Sequence, residues 1–158
     1  MAKLLGNLWN AVGLGGLLAI IVLWGFHGDN PALVNGIFRF LHVLLGIMWI
    51  GLLYYFNFVQ IPTMPKVPAE LKPGVSKYIA PEALFWFRWA ALFTVVTGLV
   101  IALLNNYLVE ALTLSPGYRV IGLGMWLALV MAFNVWFVIW PNQKKALGIV
   151  EAATATAW

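Results

Sequence analysis

One stripe of one apolar segment holds most of the side chains in this sequence that could do chemistry. In the run 34–60, steps of about 100° per residue from His42 bring Gly46, Trp49, Leu53, Phe56 and Gln60 onto one face, with Arg39 and Asn57 at its margins. The opposite face, with Leu44, Ile47 and Phe58, is apolar and suits lipid. An ionisable group inside an apolar helix is expensive to keep, so His42 is the natural place to look for function. An imidazole there suits axial ligation of haem, ligation of a metal, or proton transfer, with Arg39 pairing an anionic group such as a haem propionate. The plainer alternative is that His42 hydrogen-bonds a neighbouring helix while Arg39 extends its charge to the membrane surface. A membrane haem b usually takes two axial ligands from different helices. His27 is the only other histidine in the chain, and Met125 and Met131 are the other conceivable donors.

Elsewhere the polar residues point to packing more than to chemistry. Arg88, Thr94, Gly98 and Asn105 share a stripe of a second long run, where Thr and Asn are expected to bond across helices; Asn134 reads the same way. Gly122 and Gly124 read as packing notches. The five acids, Asp29, Glu70, Glu82, Glu110 and Glu151, all fall in loops or at helix ends, so a buried carboxylate pair for acid–base work is missing. The chain has no cysteine, which removes disulfides, thiolate metal sites, iron–sulfur clusters and covalent c-type haem. Phosphate-binding glycine loops, a nucleophile elbow and an HExxH metal site are absent as well.

The elements that must position His42 follow from composition. Hydrophobic residues make up 63% of the 158 and charged residues 9%, against roughly 25% charge in a soluble domain. So few charges cannot cover a surface facing water, and the solvent for most of this surface must be lipid. The expected fold is an all-α integral membrane protein: one transmembrane helical domain over 1–158, with about four spans near 8–26, 34–60, 84–108 and 118–140. The first run is read as an uncleaved helix, since no small-x-small cleavage site closes it. Breaks are expected at 27–31, at Pro62 and Pro65, at Ser115-Pro116-Gly117 and at Pro141-Asn142, with a polar loop over about 62–81 and a third run reaching from Glu82 to Leu112. The tail beyond Gln143 is expected to be a short interfacial helix or disordered.

Four spans place Lys3, Lys66, Lys72, Lys77, Arg88, Lys144 and Lys145 on one side and only Arg39 and Arg119 on the other. Cations accumulate in cytoplasmic segments, so both termini are expected on the cytoplasmic side. The net charge of +4 is scattered singly at the ends of apolar runs, so nucleic acid is not an expected partner; the lipid bilayer is.

At the second run the sequence resembles the membrane domain of PuuD-type bacterial urate hydroxylases, also known as the urate oxidase N-terminal domain. The likeness rests on Arg39, then H-x-x-x-G-x-x-W-I-G from His42 through Gly46, Trp49, Ile50 and Gly51, then aromatics. Segment 81–91, with Pro81, Glu82, Trp86, Arg88 and Trp89, its run into Thr97-Gly98, and Trp140-Pro141-Asn142-Gln143 also look like that family. The likeness covers about residues 35–148. It implies a multi-pass protein of the bacterial inner membrane and a membrane oxidoreductase of urate hydroxylase type. His42, Arg39, Gly46, Trp49 and Gly51 would then belong to a haem or redox site or its framework, with a cytochrome or other membrane subunits as partners. The departures are that this chain carries no C-x-x-C-H and that residues 152–158 do not look like a continuation of that family's chain. A short relative of this kind is expected either to keep redox chemistry or to serve as an accessory subunit in a respiratory, photosynthetic or oxygenase assembly. A small transporter or channel is disfavoured by the lack of charged midplane residues.

Overall fold

Helix is the only regular structure among the described residues, 6–25 and 32–147 of the computed structural model. In chain order these are α1 (Leu8–Gly25), α2 (Ala32–Lys66), α3 (Lys72–Leu104), α4 (Leu108–Leu112) and α5 (Arg119–Ala146). His27, the 27–31 break and the tail from 148 onward lie outside the described residues. Three helices, α2, α3 and α5, are long and apolar enough to cross a membrane, with 35, 33 and 28 residues and mean hydropathies of 1.9, 2.0 and 2.0. At ~1.5 Å per residue each is longer than the roughly 30 Å of a bilayer's hydrocarbon. Within α1, the segment Leu8–Leu23 is apolar but shorter than those three. The Asn7 side chain starts α1 by accepting the Trp9 N–H at 3.0 Å, as an N-cap does.

The chain divides into two units, 1–37 and 38–158, with the boundary inside α2. The second unit contains the packed bundle. His42 of α2 meets Thr94 and Thr97 of α3 while Phe56 meets Phe87, so α2 and α3 run antiparallel. Trp89 packs edge-on against Trp136 and Arg88 lies over Trp140, which places α5 against α3 as well. Most buried residues belong to α3: Ala80, Leu84, Phe87, Ala90, Ala91, Thr94, Thr97, Ile101 and Ala102. Four of these nine are alanines, small residues that let helix backbones approach closely. The outer faces of α2 and α5, with Leu44, Ile47, Phe58, Val120, Leu127 and Phe137, are exposed.

Prolines end fewer helices than expected. The helix containing Pro62 continues to Lys66, α3 already begins at Lys72, and α5 runs through Pro141 to Ala146. The polar loop anticipated over 62–81 shrinks to 67–71. A π-helical stretch precedes three of the prolines: Tyr55–Gln60 before Pro62, Val75–Ile79 before Pro81, and Asn134–Ile139 before Pro141. A proline in a helix lacks an N–H and its ring strikes the carbonyl four residues back. The wider π turn moves that carbonyl aside, so the helix is distorted without being broken.

The third run also stops earlier than expected. Asn106 adopts a left-handed φ of 57°, the Tyr107 N–H reaches the Ala102 carbonyl and the Asn106 N–H reaches that of Leu103, both at 3.0 Å. This paired closure satisfies carbonyls at the end of α3, and asparagine tolerates the left-handed region better than most residues do. The chain then forms α4, and Gly117 turns it into α5 with φ 89°.

Candidate functional site

His42 sits on the α3-facing side of α2, and its ring is fixed from one side only. Nδ1 lies 2.9 Å from the Thr94 carbonyl and 3.2 Å from the Thr97 hydroxyl. A carbonyl only accepts, so Nδ1 carries the proton and donates it. The Thr97 hydroxyl donates its own hydrogen to the Phe93 carbonyl at 2.7 Å or the Thr94 carbonyl at 3.0 Å, which leaves its oxygen to accept a weaker share of the Nδ1 proton. In the neutral ring this tautomer puts the lone pair on Nε2, which has no hydrogen-bond partner among the described residues.

Glycine makes that placement feasible. A Cβ on Gly98 would lie 2.9 Å from His42 Cε1 and 3.4 Å from Nδ1, so the imidazole rests directly on the α3 backbone where a side chain is missing. Gly46 is less critical, since its Cβ would meet the Thr94 methyl at an ordinary 3.8 Å. Gly51 faces open space.

The imidazole borders a cavity of about 570 Å³ between α2, α3 and α5. Arg39 and His42 line it from α2, Thr94, Val95, Gly98, Leu99 and Ile101 from α3, and Gly124, Met125 and Leu129 from α5, with Tyr107 from the α3–α4 turn. The lining is mostly apolar with a few convergent polar groups, and the volume falls within the roughly 300–1,000 Å³ of small-molecule and cofactor sites. Tyr107 is held by stacking on Tyr118, with ring centroids 5.9 Å apart.

The five residues singled out on α2 for the site therefore separate, Gly51 lying apart from the rest. Arg39 and His42 share the cavity wall, Gly46 packs beside it against Thr94, and Trp49 is 3% exposed in the apolar core with Leu84, Phe87, Ala90, Ala91 and Val135. Of the two methionines considered, Met125 is in the wall and Met131 is not among its lining residues. Asn57 is exposed and bonds its own Leu53 carbonyl at 2.8 Å.

The expectation that the Thr94 side chain bonds across helices needs correction. The Thr94 hydroxyl donates to the Ala90 carbonyl at 2.7 Å, and Asn105 donates to that of Ile101 at 2.7 Å, both one turn back on α3. It is the Thr94 carbonyl and the Thr97 hydroxyl that reach α2. Asn134 is exposed. Gly122 is a packing notch, its absent Cβ filled by the Ala111 carbonyl and Leu114, whereas Gly124 has open space because it borders the cavity. Sequence reasoning missed Thr97 and Tyr107 as site residues. The Asn105-Asn106 pair was the available signal that the chain turns there and brings Tyr107 to the cavity.

No set of three or more His, Cys, Asp or Glu side chains that could hold a metal ion occurs among the described residues. What the site offers is one oriented imidazole nitrogen, one guanidinium, one phenol and one thioether around an apolar volume. Compared with protein-family models, with curated proteins and with solved structures, the chain matches none of them.

Proposed function

We propose that this chain is a redox protein of the bacterial inner membrane that holds a haem against His42, similar in kind to the membrane domain of urate hydroxylases. In this reading the chain crosses the bilayer four times, with α1 as the first span and both termini on the cytoplasmic side. The observation that carries the proposal is the imidazole whose Nδ1 is tied to the Thr94 carbonyl while Nε2 is unpartnered beside a cofactor-sized cavity. Haem-ligating and metal-ligating histidines are commonly oriented in this way, by a backbone carbonyl on the second ring nitrogen.

The residues present fit a haem. His42 and Met125, on different helices of the same wall, would hold its iron, and Arg39 would pair a propionate. When bound, a haem supplies one-electron transfer. The chain's own part is to hold the imidazole in one tautomer, to exclude water with Val95, Leu99 and Leu129, and to present Tyr107 to the cavity. A cytochrome partner would take the electrons.

The test is an absorption spectrum of the detergent-purified chain, oxidised and then reduced. A Soret band that moves on reduction and disappears in His42→Ala is the expected result. Met125→Leu should keep the band but shift its reduced maximum. A colourless preparation sinks the haem reading and favours the second one, a non-catalytic accessory subunit in a larger membrane complex. The exposed apolar faces of α2 and α5 are compatible with that role, because another helix can cover them as well as lipid can. For the topology, Lys3 and Lys144 should react with a membrane-impermeant amine reagent only after cells are opened; labelling of either in intact cells overturns it.

A further inference from the structure

The other end of the same helices carries a second cluster of polar atoms that the His42 cavity does not use. The Arg88 guanidinium lies on the Trp140 indole, 3.3 Å from the ring centroid, with the Trp136 ring at 5.8 Å. Lys144, one turn beyond Trp140 on α5, holds its Nζ 5.6 Å from the same Trp140 ring. Arg88 Nε and one of its amino nitrogens are enclosed without a hydrogen-bond partner, and so is Trp136 Nε1. Neither Arg88 nor Lys144 has a carboxylate partner among the described residues. Glu82, a turn and a half before Arg88, has an oxygen engaged by Trp86 Nε1 at 2.8 Å.

An indole face attracts a cation but does not neutralise it. Two cations on one indole repel each other, and a guanidinium with two nitrogens enclosed without acceptors has lost part of its hydration. An anion with several acceptor oxygens at the open edge would offset both charges. Arginine's planar fork matches phosphate, and a nearby lysine adds a mobile point charge. Two edges of the guanidinium are covered by protein, which leaves the remaining amino nitrogen as the approach from outside. Tryptophans near helix ends mark the depth of lipid headgroups, and Trp140 and Lys144 occupy the final turns of α5.

We propose that Arg88, Lys144 and Trp140 form a phosphate-binding site, filled by the headgroup phosphate of an anionic phospholipid. The source rests on the membrane-spanning reading but not on haem at His42. A colourless protein would leave it standing, and a protein that stays in the aqueous fraction without detergent would remove the lipid source.

The test uses the full chain in an uncharged detergent and reads the thermal unfolding midpoint after adding phosphatidylglycerol, phosphatidylcholine or inorganic phosphate. Phosphatidylglycerol should raise the midpoint and phosphatidylcholine should not. Arg88→Gln should lose more than half of that rise, while Arg119→Gln, an exposed cation at the opposite end of α5, keeps it. A rise with inorganic phosphate that Arg88→Gln also loses would assign the site to free phosphate instead of lipid. Should Arg88→Gln fail to fold, Lys144→Gln decides, since that side chain is at a helix end and its loss should remove part of the rise. An equal response to both lipids, or a full response in whichever variant folds, overturns the site.

Discussion

The two ends of the α2–α3–α5 bundle treat their polar groups in opposite ways. At the His42 end, hydrogen bonds converge on one ring and the volume beside it is left open. At the Arg88 end, Trp140 and Trp136 flank a half-buried guanidinium, two of whose nitrogens are enclosed without acceptors. The first arrangement has invested its bonds in orienting a side chain toward a space, which is how a ligand site is prepared in advance. The second holds a cation on aromatic faces, which attract a charge without neutralising it. The two regions thus differ in kind, one an open volume beside an oriented ring and the other a cation held on indoles.

The contrast can be broken most severely at Gly122, which supports the His42 end. The Ala111 carbonyl occupies the space a Cβ would need, and a backbone atom cannot swing away. Gly122→Ala should destabilise by about 3 kcal/mol, the upper part of the usual overpacking range, and widen the cavity by separating α4 from α5. Thermal unfolding in detergent measures it, with Gly124→Ala as the comparison because nothing lies within 4 Å of that position. Equal losses in both variants would show that the notch is not what holds α4 in place.

Arg88→Met tests the other end with the opposite sign. Replacing a half-buried charge that has two enclosed, unpartnered nitrogens by an apolar chain of similar length should leave stability unchanged or raise it by about 1–2 kcal/mol in an uncharged detergent. With phosphatidylglycerol present, the order of wild type and variant should reverse. A loss of stability in both conditions would mean that stacking on Trp140 outweighs the cost of the enclosed N–H groups.

Gly98→Ala separates ring position from stability. Alanine favours helix over glycine by roughly 1 kcal/mol, and the His42–Thr94 hydrogen bond contributes about as much, so the two offset. The unfolding midpoint should therefore barely move. The ring should move, because the new methyl needs the place of Cε1. Nitrogen-15 spectra of the imidazole should lose the protected Nδ1 proton in this variant, and its persistence would contradict the close contact.

Much of this arrangement was legible in the sequence, and the misses have physical causes. The stripe through His42 was readable because a 3.6-residue period and an expensive side chain coincide on α2. The length of the helices was not, because prolines were read as stops and the π turns ahead of Pro62, Pro81 and Pro141 are tertiary accommodations without a residue code. The end of α3 was encoded in Asn105-Asn106 but is weaker than a glycine signal. The partner of His42 was beyond sequence reading, since a backbone carbonyl exposes no residue type. Thr94 was noted for its hydroxyl, which turns back to Ala90.

That last point yields the smallest expected effect and the sharpest discrimination. If His42 is held by the Thr94 carbonyl, then removing the Thr94 hydroxyl leaves its anchor in place. Thr94→Val keeps the shape, gives up only the bond to the Ala90 carbonyl, and should change stability by less than ~1 kcal/mol. The Nδ1 proton signal should stay where it is in wild type. Thr97→Val, by contrast, removes the oxygen 3.2 Å from Nδ1 and should shift that signal without abolishing it. A larger shift from Thr94→Val than from Thr97→Val would mean that the side chain, not the backbone, orients the imidazole, and the prepared character of the cavity would then depend on a rotamer instead of on the fold of α3.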